Sequence, residues 1–144
     1  MREFLVLLII LLTACSPTQP KQGVKGQVFW LAGNQMPGPG STKSSDHGIQ
    51  RELYVYELTT LEQATLSSDG FFTNIRTKLV TKISTKANGT FKLRLPVGEY
   101  SLFVKEDKGL FANHFDQNNA INPIIIKQKE FAWLPITVDY QASY

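Results

Sequence analysis

The chain predicts an all-β fold, an antiparallel seven-stranded β-sandwich with two long loops, and three observations lead there. Apolar and polar residues alternate over short runs, the period of a half-buried strand. Gly, Pro and Asn recur between those runs, where turns need them. The i, i+3, i+4 spacing of an apolar helix stripe is scarce.

The first strand is read at Val24 to Trp30, where Val24, Gly26, Val28 and Trp30 alternate with Lys25, Gln27 and Phe29. Leu53 to Leu58 (Leu-Tyr-Val-Tyr-Glu-Leu) suits a strand with apolar contacts on both faces. Thr77 to Thr85 is rich in β-branched residues, with Leu79 and Ile83 facing one way and Lys78 and Lys82 the other. Asn88-Gly89 predicts a hairpin turn, since both residues tolerate positive φ. After it Phe91, Leu93 and Leu95 alternate with Lys92 and Arg94. Pro96-Val97-Gly98 turns the chain into Tyr100, Leu102 and Val104, which alternate with Ser101, Phe103 and Lys105. Ile124 to Lys127 is the sixth strand and Ile136 to Gln141 the last, with Ile136, Val138 and Tyr140 inward. Pro135 has no N–H for a ladder, so it starts that strand or lies at an edge. The long loops fall near 32–50 and 60–75, and Leu58 to Leu66 has room for a helical turn.

Ahead of the strands, Met1-Arg2-Glu3 is followed by the apolar stretch Phe4 to Leu12 and then by Thr13-Ala14-Cys15. A cationic start, a short apolar run and a small residue before the cut describe a secretory signal peptide. A transmembrane helix needs about twenty apolar residues, more than this run offers. Leu12-Thr13-Ala14-Cys15 resembles the lipobox of bacterial lipoproteins, in which the chain is cut before the cysteine and its sulfur and new amino terminus are acylated. The resemblance implies lipidation at Cys15 and a membrane-anchored protein of the bacterial cell envelope. Ser16 rather than Asp after the cysteine implies the outer membrane, with the domain facing the periplasm. The organisation expected is 1–14 signal peptide, 15–22 anchored cysteine and flexible tether, and 23–144 β-sandwich domain. The tether, Ser16-Pro-Thr-Gln-Pro-Lys-Gln22, has two prolines and no apolar residue, which suits an extended spacer.

Removal of the first fourteen residues takes away one cation (Arg2) and one anion (Glu3), so the formal charge of +3 stands. The basic residues are spread along the chain without a run, so no nucleic-acid partner is expected. Cys15 is the one cysteine, so no disulfide is available and an apolar core must hold the fold, aided by the eight Phe beyond Phe4, five Tyr and two Trp.

Gly23-Val24-Lys25-Gly26-Gln27-Val28, Asn88-Gly89-Thr90-Phe91 and Leu95-Pro96-Val97-Gly98-Glu99-Tyr100-Ser101-Leu102 are together similar to the carboxypeptidase regulatory-like domains, which are transthyretin-like (prealbumin-like) β-sandwiches. These residues shape turns and core, so the resemblance implies a fold and carries no active site. The tail after Lys105 and the long loops have no counterpart in it. Transthyretin-like sandwiches include hydroxyisourate hydrolases, whose tail resembles Tyr-Arg-Gly-Ser. Here Tyr140-Gln141-Ala142-Ser143-Tyr144 lacks the Arg and Gly.

Candidate chemistry is sparse. His47 and His114 sit in loops, and neither a Gly-x-Ser-x-Gly elbow nor a His-Glu-x-x-His is present. Asp46-His47 and His114-Phe115-Asp116 lack the ligand spacing of a calcium loop, so no metal or other cofactor is expected. Lys25 and Asp139, with Glu57 as helper, occupy strands suited to an internal isopeptide bond, but alternation turns both partners outward. The expected role is a non-catalytic binding or assembly module for an envelope protein or a glycan. Its surface would be an aromatic patch of Phe29, Tyr54, Tyr56 and Phe103, unless the long loops bring Phe71, Phe72, Leu110 and Phe111 over that face. The alternative is a ligand-binding or hydrolase-related domain with a pocket between the loops, where His114, Asp116 and Arg76 would converge.

Overall fold

A computed structural model describes residues 21–40 and 47–144. Cys15, Asp46 and most of the tether lie outside the described residues. Among the described residues eleven strands run in chain order: β1 (Gly23–Asn34), β2 (His47–Gly48), β3 (Glu52–Glu57), β4 (Thr65–Leu66), β5 (Phe72–Thr73), β6 (Leu79–Ser84), β7 (Thr90–Arg94), β8 (Gly98–Glu106), β9 (Gly109–Phe111), β10 (Pro123–Ile126) and β11 (Phe131–Ser143). The helical turn expected between 58 and 66 is a single 3₁₀ turn, Leu61–Gln63, where Gln63 Oε1 accepts the Thr60 N–H at 3.0 Å. The all-β sandwich read from the sequence is the fold observed.

Each sheet is organised around one long strand. In the first, β1 pairs along its length with β11, and its other edge is shared by β7 and the short β2. In the second, β8 lies between β3 and a split edge formed by β10 and β9. β6 extends this sheet beyond β3, and β5 and β4 extend it beyond β9. Every pair in the second sheet is antiparallel, whereas β1 and β11 run parallel from Gly23 opposite Phe131 to Asn34 opposite Ser143. The first and last strands of the domain thus lie side by side.

The main core fills the space between the sheets with the residues that the alternation points inward. Val24, Val28, Leu53, Val55, Leu102, Val104, Ile136 and Val138 are buried in it, joined by Phe71, Phe91 and Phe111. Full burial of each such side chain favours folding by about 1.5–3 kcal/mol. Leu79 departs from the expected phase. A bulge between Val55 and Tyr56 pairs it with Tyr56, so it turns to the outer face and stays exposed.

The two turns named by the sequence form, but neither closes a hairpin. Each carries the chain from one sheet to the other, because β6 and β8 belong to the second sheet and β7 to the first. In the first turn the Gly89 N–H donates to the Lys86 carbonyl at 2.8 Å and Gly89 alone of the Asn-Gly pair has positive φ, +84°. Asn88 acts through its side chain, whose Oδ1 accepts from Thr90 N–H and Oγ1–H at 3.1 and 2.7 Å. In the second, the Tyr100 hydroxyl donates back to the Pro96 carbonyl at 2.8 Å and fixes the corner. Burial, and then the Glu57 charge, raise the Tyr100 phenol above its ordinary pKa.

The segment read as a loop at 60–75 forms a cover. Together with residues 112–122 it closes over the outer face of β3 and β8, where Phe72, Phe103, Leu110, Ala112 and Ile121 make a second core. β8 is therefore apolar and buried on both faces, in contrast to the one-sided strand its neighbours in sequence suggest.

Candidate functional site

The aromatic patch expected from Phe29, Tyr54, Tyr56 and Phe103 does not exist as one surface. Phe103 is fully buried, with Phe72 and Tyr56 packed edge-on at 5.7 and 5.5 Å. Tyr54 and Tyr56 lie half-buried at the rim of that second core, and Lys82 Nζ sits 4.5 Å from the Tyr54 ring centroid. Burial, with Tyr54 next, pushes the Tyr56 phenol up in pKa. Phe29 belongs to the other sheet altogether, half-buried opposite Gly48 and Thr137. Outward phase placed Phe103, Tyr54 and Tyr56 on one face, and the cover from 58–75 then enclosed it.

An open face remains on the first sheet. Its outward positions are Lys25, Gln27 and Phe29 on β1, Thr90, Lys92 and Arg94 on β7, and Phe131, Trp133, Pro135 and Thr137 on β11. Lys25 lies directly between Trp133 and Lys92 in register, and Gly23 between Phe131 and Arg94. Because Gly23 carries no side chain, Lys92 reaches diagonally across it, with Nζ 4.3 Å from the Phe131 ring centroid. Trp133 is 58% exposed, unusual for the largest side chain in a domain with two apolar cores. It walls a shallow cleft of about 230 Å³ with Lys25, Gly26, Lys86, Thr90, Phe91 and Lys92. Three lysines and no carboxylate line that cleft. Sequence reasoning missed this site, since the lysines are far apart along the chain and only register gathers them.

The remaining candidates do not converge. Asp116 Oδ1 accepts from the Asn118 and Ala120 N–H groups at 2.8 and 2.9 Å, a turn-making role. His114 lines a groove with Asn113, Asn122 and Pro135, while Asp116 lines a different one with Leu58, Glu99 and Ile124. Arg76 borders neither. His47 is exposed in β2, opposite Trp30. Among the described residues no three His, Cys, Asp or Glu side chains group as metal ligands. Lys25 lies opposite Trp133, well down β11 from Asp139, and Asp139 is instead bound by Asn113 and Tyr144. Pro135 stands mid-strand on β11, whose far edge pairs with no strand among the described residues. There Asn113 Nδ2 donates to the Thr137 carbonyl at 3.2 Å and caps part of the edge.

One polar cluster sits in the apolar phase of β8, in line with Leu102 and Val104. Glu106 is 8% exposed and accepts from Arg51 Nε at 2.7 Å on one oxygen and from the Tyr140 hydroxyl at 2.8 Å on the other. Tyr140 packs edge-on against Trp30 and Phe71 at 5.4 and 5.0 Å, and the Arg51 guanidinium lies 5.7 Å from the Trp30 ring centroid. Burial, followed by the hydrogen bond and charge of Glu106, pushes the Tyr140 phenol up to about 12. A cleft of about 400 Å³ opens beside it, lined also by Asp69, Asp107 and Lys108. Both Glu106 oxygens are occupied by internal donors, so the cluster braces the two sheets against each other. An acidic residue in the apolar phase of a strand was the visible signal for it.

The fold and this face together define an all-β sandwich with an aromatic, basic outer surface on its first sheet. No protein-family model and no curated protein sequence matches the chain. Among solved structures it is similar to the Bacillus anthracis TIE protein, at 19% identity and a TM-score of 0.37, over 81% of this chain and 17% of that one.

Proposed function

We propose that the protein is a lipid-anchored lipoprotein of the bacterial envelope whose sandwich is a non-catalytic binding module working through the outer face of β11, β1 and β7. The observation that carries the binding role is Trp133, left 58% exposed and flanked by Lys25 and Lys92. Phe71, Phe72, Phe91, Phe103 and Phe111 are all enclosed by the domain, whereas Trp133 is left on an open sheet face beside cations. The anchor rests on Leu12-Thr13-Ala14-Cys15 and the apolar run before it. The transthyretin-like, carboxypeptidase regulatory-like assignment, the outer-membrane address from Ser16 and an envelope protein or glycan partner belong to the same proposal. Support for the fold family comes from the Gly89 turn and from the Tyr100 corner at Pro96, where its motifs act as turns.

The anchor is tested by intact mass of the protein purified from membranes and by fractionation of Cys15→Ser. The wild-type chain should begin at Cys15 and carry the mass of its acyl groups, in the membrane fraction. The variant should fold as before and leave that fraction in high salt. An unacylated wild-type terminus, or a salt-resistant membrane-bound variant, refutes the proposal. No helix among the described residues is long and apolar enough to cross a membrane.

A further inference from the structure

We infer that the basic, aromatic face of the first sheet docks flat on anionic lipid headgroups of the membrane that holds the anchor. The inference rests on the lipoprotein reading and narrows the partner of the face proposed above from an envelope protein or glycan to the membrane surface itself. Three independent observations carry it.

The first is charge. Lys25, Lys92 and Arg94 are outward on adjacent strands, and Lys86 joins them at the cleft. No carboxylate stands at an outward position of β7, of β1 through Phe29, or of β11 from Phe131 to Thr137, and Glu130 lies in the turn ahead of β11. The second is the aromatic pair. Trp133 has the amphipathic ring that settles at headgroup level, and Phe131 adds apolar bulk beside it. The third is position. Phe131 and Arg94 are the register partners of Gly23, where the chain enters the domain. Only the segment 15–22 separates that row from Cys15, a span of at most about 30 Å when fully extended. The tether therefore delivers this end of the sandwich to the bilayer, and confinement there raises the effective concentration of the face at the lipid surface.

The chemistry of the cleft selects headgroups over a sugar. A sugar stacked on Trp133 would need acceptors as well as donors for its hydroxyls. Lysine offers only donors, and Thr90 is the one side-chain acceptor in the lining. Phosphate oxygens are pure acceptors and suit it.

The test uses the mature chain with Cys15→Ser, which carries no acyl group, in flotation with vesicles of phosphatidylcholine and phosphatidylglycerol at 7:3 and with pure phosphatidylcholine. Each basic residue near an anionic surface changes partitioning about fivefold. K25Q/K92Q should therefore lower binding to the anionic vesicles by about 25-fold, and K25E/K92E, which reverses both charges, by more than that. Both lysines are exposed, so circular dichroism of the variants should match the parent. Trp133→Ala should weaken binding several-fold and abolish a blue shift of fluorescence on vesicle addition. High salt should release the protein. Flotation with neither vesicle, flotation that ignores K25E/K92E, or tighter binding to a single-stranded oligonucleotide than to vesicles overturns the inference. Because no acyl chain is present, failure here leaves the anchor intact. A wild-type protein lacking acyl groups would instead remove the anchor reading while the vesicle result stood alone.

Discussion

Glu106 shows how one side chain joins two sheets. It ends the apolar series Leu102, Val104, Glu106 on β8, and a carboxylate there is tolerable only because Arg51 and Tyr140 occupy both its oxygens. Arg51→Met removes one of them and should cost about 2 kcal/mol in a urea titration, less than a wholly buried pair because the arginine side chain is 32% exposed. Tyr140 makes a separate prediction with a defined sign. Its phenol is raised from 10.0 to about 12 in the folded protein, so its contribution is complete below pH 10 and fades as pH rises from 10 to 12. Wild type should exceed Tyr140→Phe by about 1 kcal/mol at pH 8, a modest figure because the ring is 37% exposed. That margin should close by pH 12. A difference constant over that range would mean that ionisation of the Tyr140 phenol is not linked to folding. Glu106 was readable in advance as an acid in an apolar phase, but Arg51 and Tyr140 were not, since nothing local marks them as its partners.

Among the elements, β1 carries a tight steric requirement. A Cβ on Gly26 would overlap the Leu134 carbonyl oxygen of β11, and one on Gly89 would overlap the Val28 carbonyl of β1. Gly26→Ala must push β11 off its partner, and about 3 kcal/mol of destabilisation is expected from overpacking of this kind. Gly89→Ala adds the cost of a left-handed φ to a similar overlap, and should be at least as severe. Thermal unfolding checks both. If Gly26→Ala melts within a few degrees of wild type, the β1–β11 register is wrong. The strands themselves were legible, because a two-residue period survives in Val24/Val28, Leu53/Val55 and Ile136/Val138 whatever their partners. Which strand pairs with which was not. Asn88-Gly89 announces a tight turn equally well whether the next strand folds back or crosses to the other sheet. Likewise Phe103 had the right phase and the long loops were named as its cover, and Phe72 and Leu110 do cover it, whereas Phe71 and Phe111, named with them, join the main core instead.

For the molecule as a whole, the pairing of its first strand with its last decides both folding and surface. Lys25, Lys92 and Trp133 are scattered in sequence, and the basic, aromatic face exists only once β11 and β7 have closed on β1. This is why a chain of formal charge +3 with no basic run still presents a cationic surface. The same closure makes the domain dependent on its last residues. Before β11 pairs, Val24 and Val28 lack Ile136 and Val138 beside them on the inner face of their own sheet, and the long loop between the ends must be closed at an entropic cost. Deleting Phe131–Tyr144 should therefore leave a chain without the cooperative unfolding transition of the full domain, rather than a sandwich short of one edge. Refolding of the intact protein should be slow for its size, in the millisecond-to-second range of folds dominated by distant pairings. Stopped-flow fluorescence reads this directly, because Trp30 and Trp133 sit on β1 and β11. Refolding complete within microseconds, or a truncated chain that still melts cooperatively, would mean that the second sheet folds alone and β1 and β11 merely dock on it.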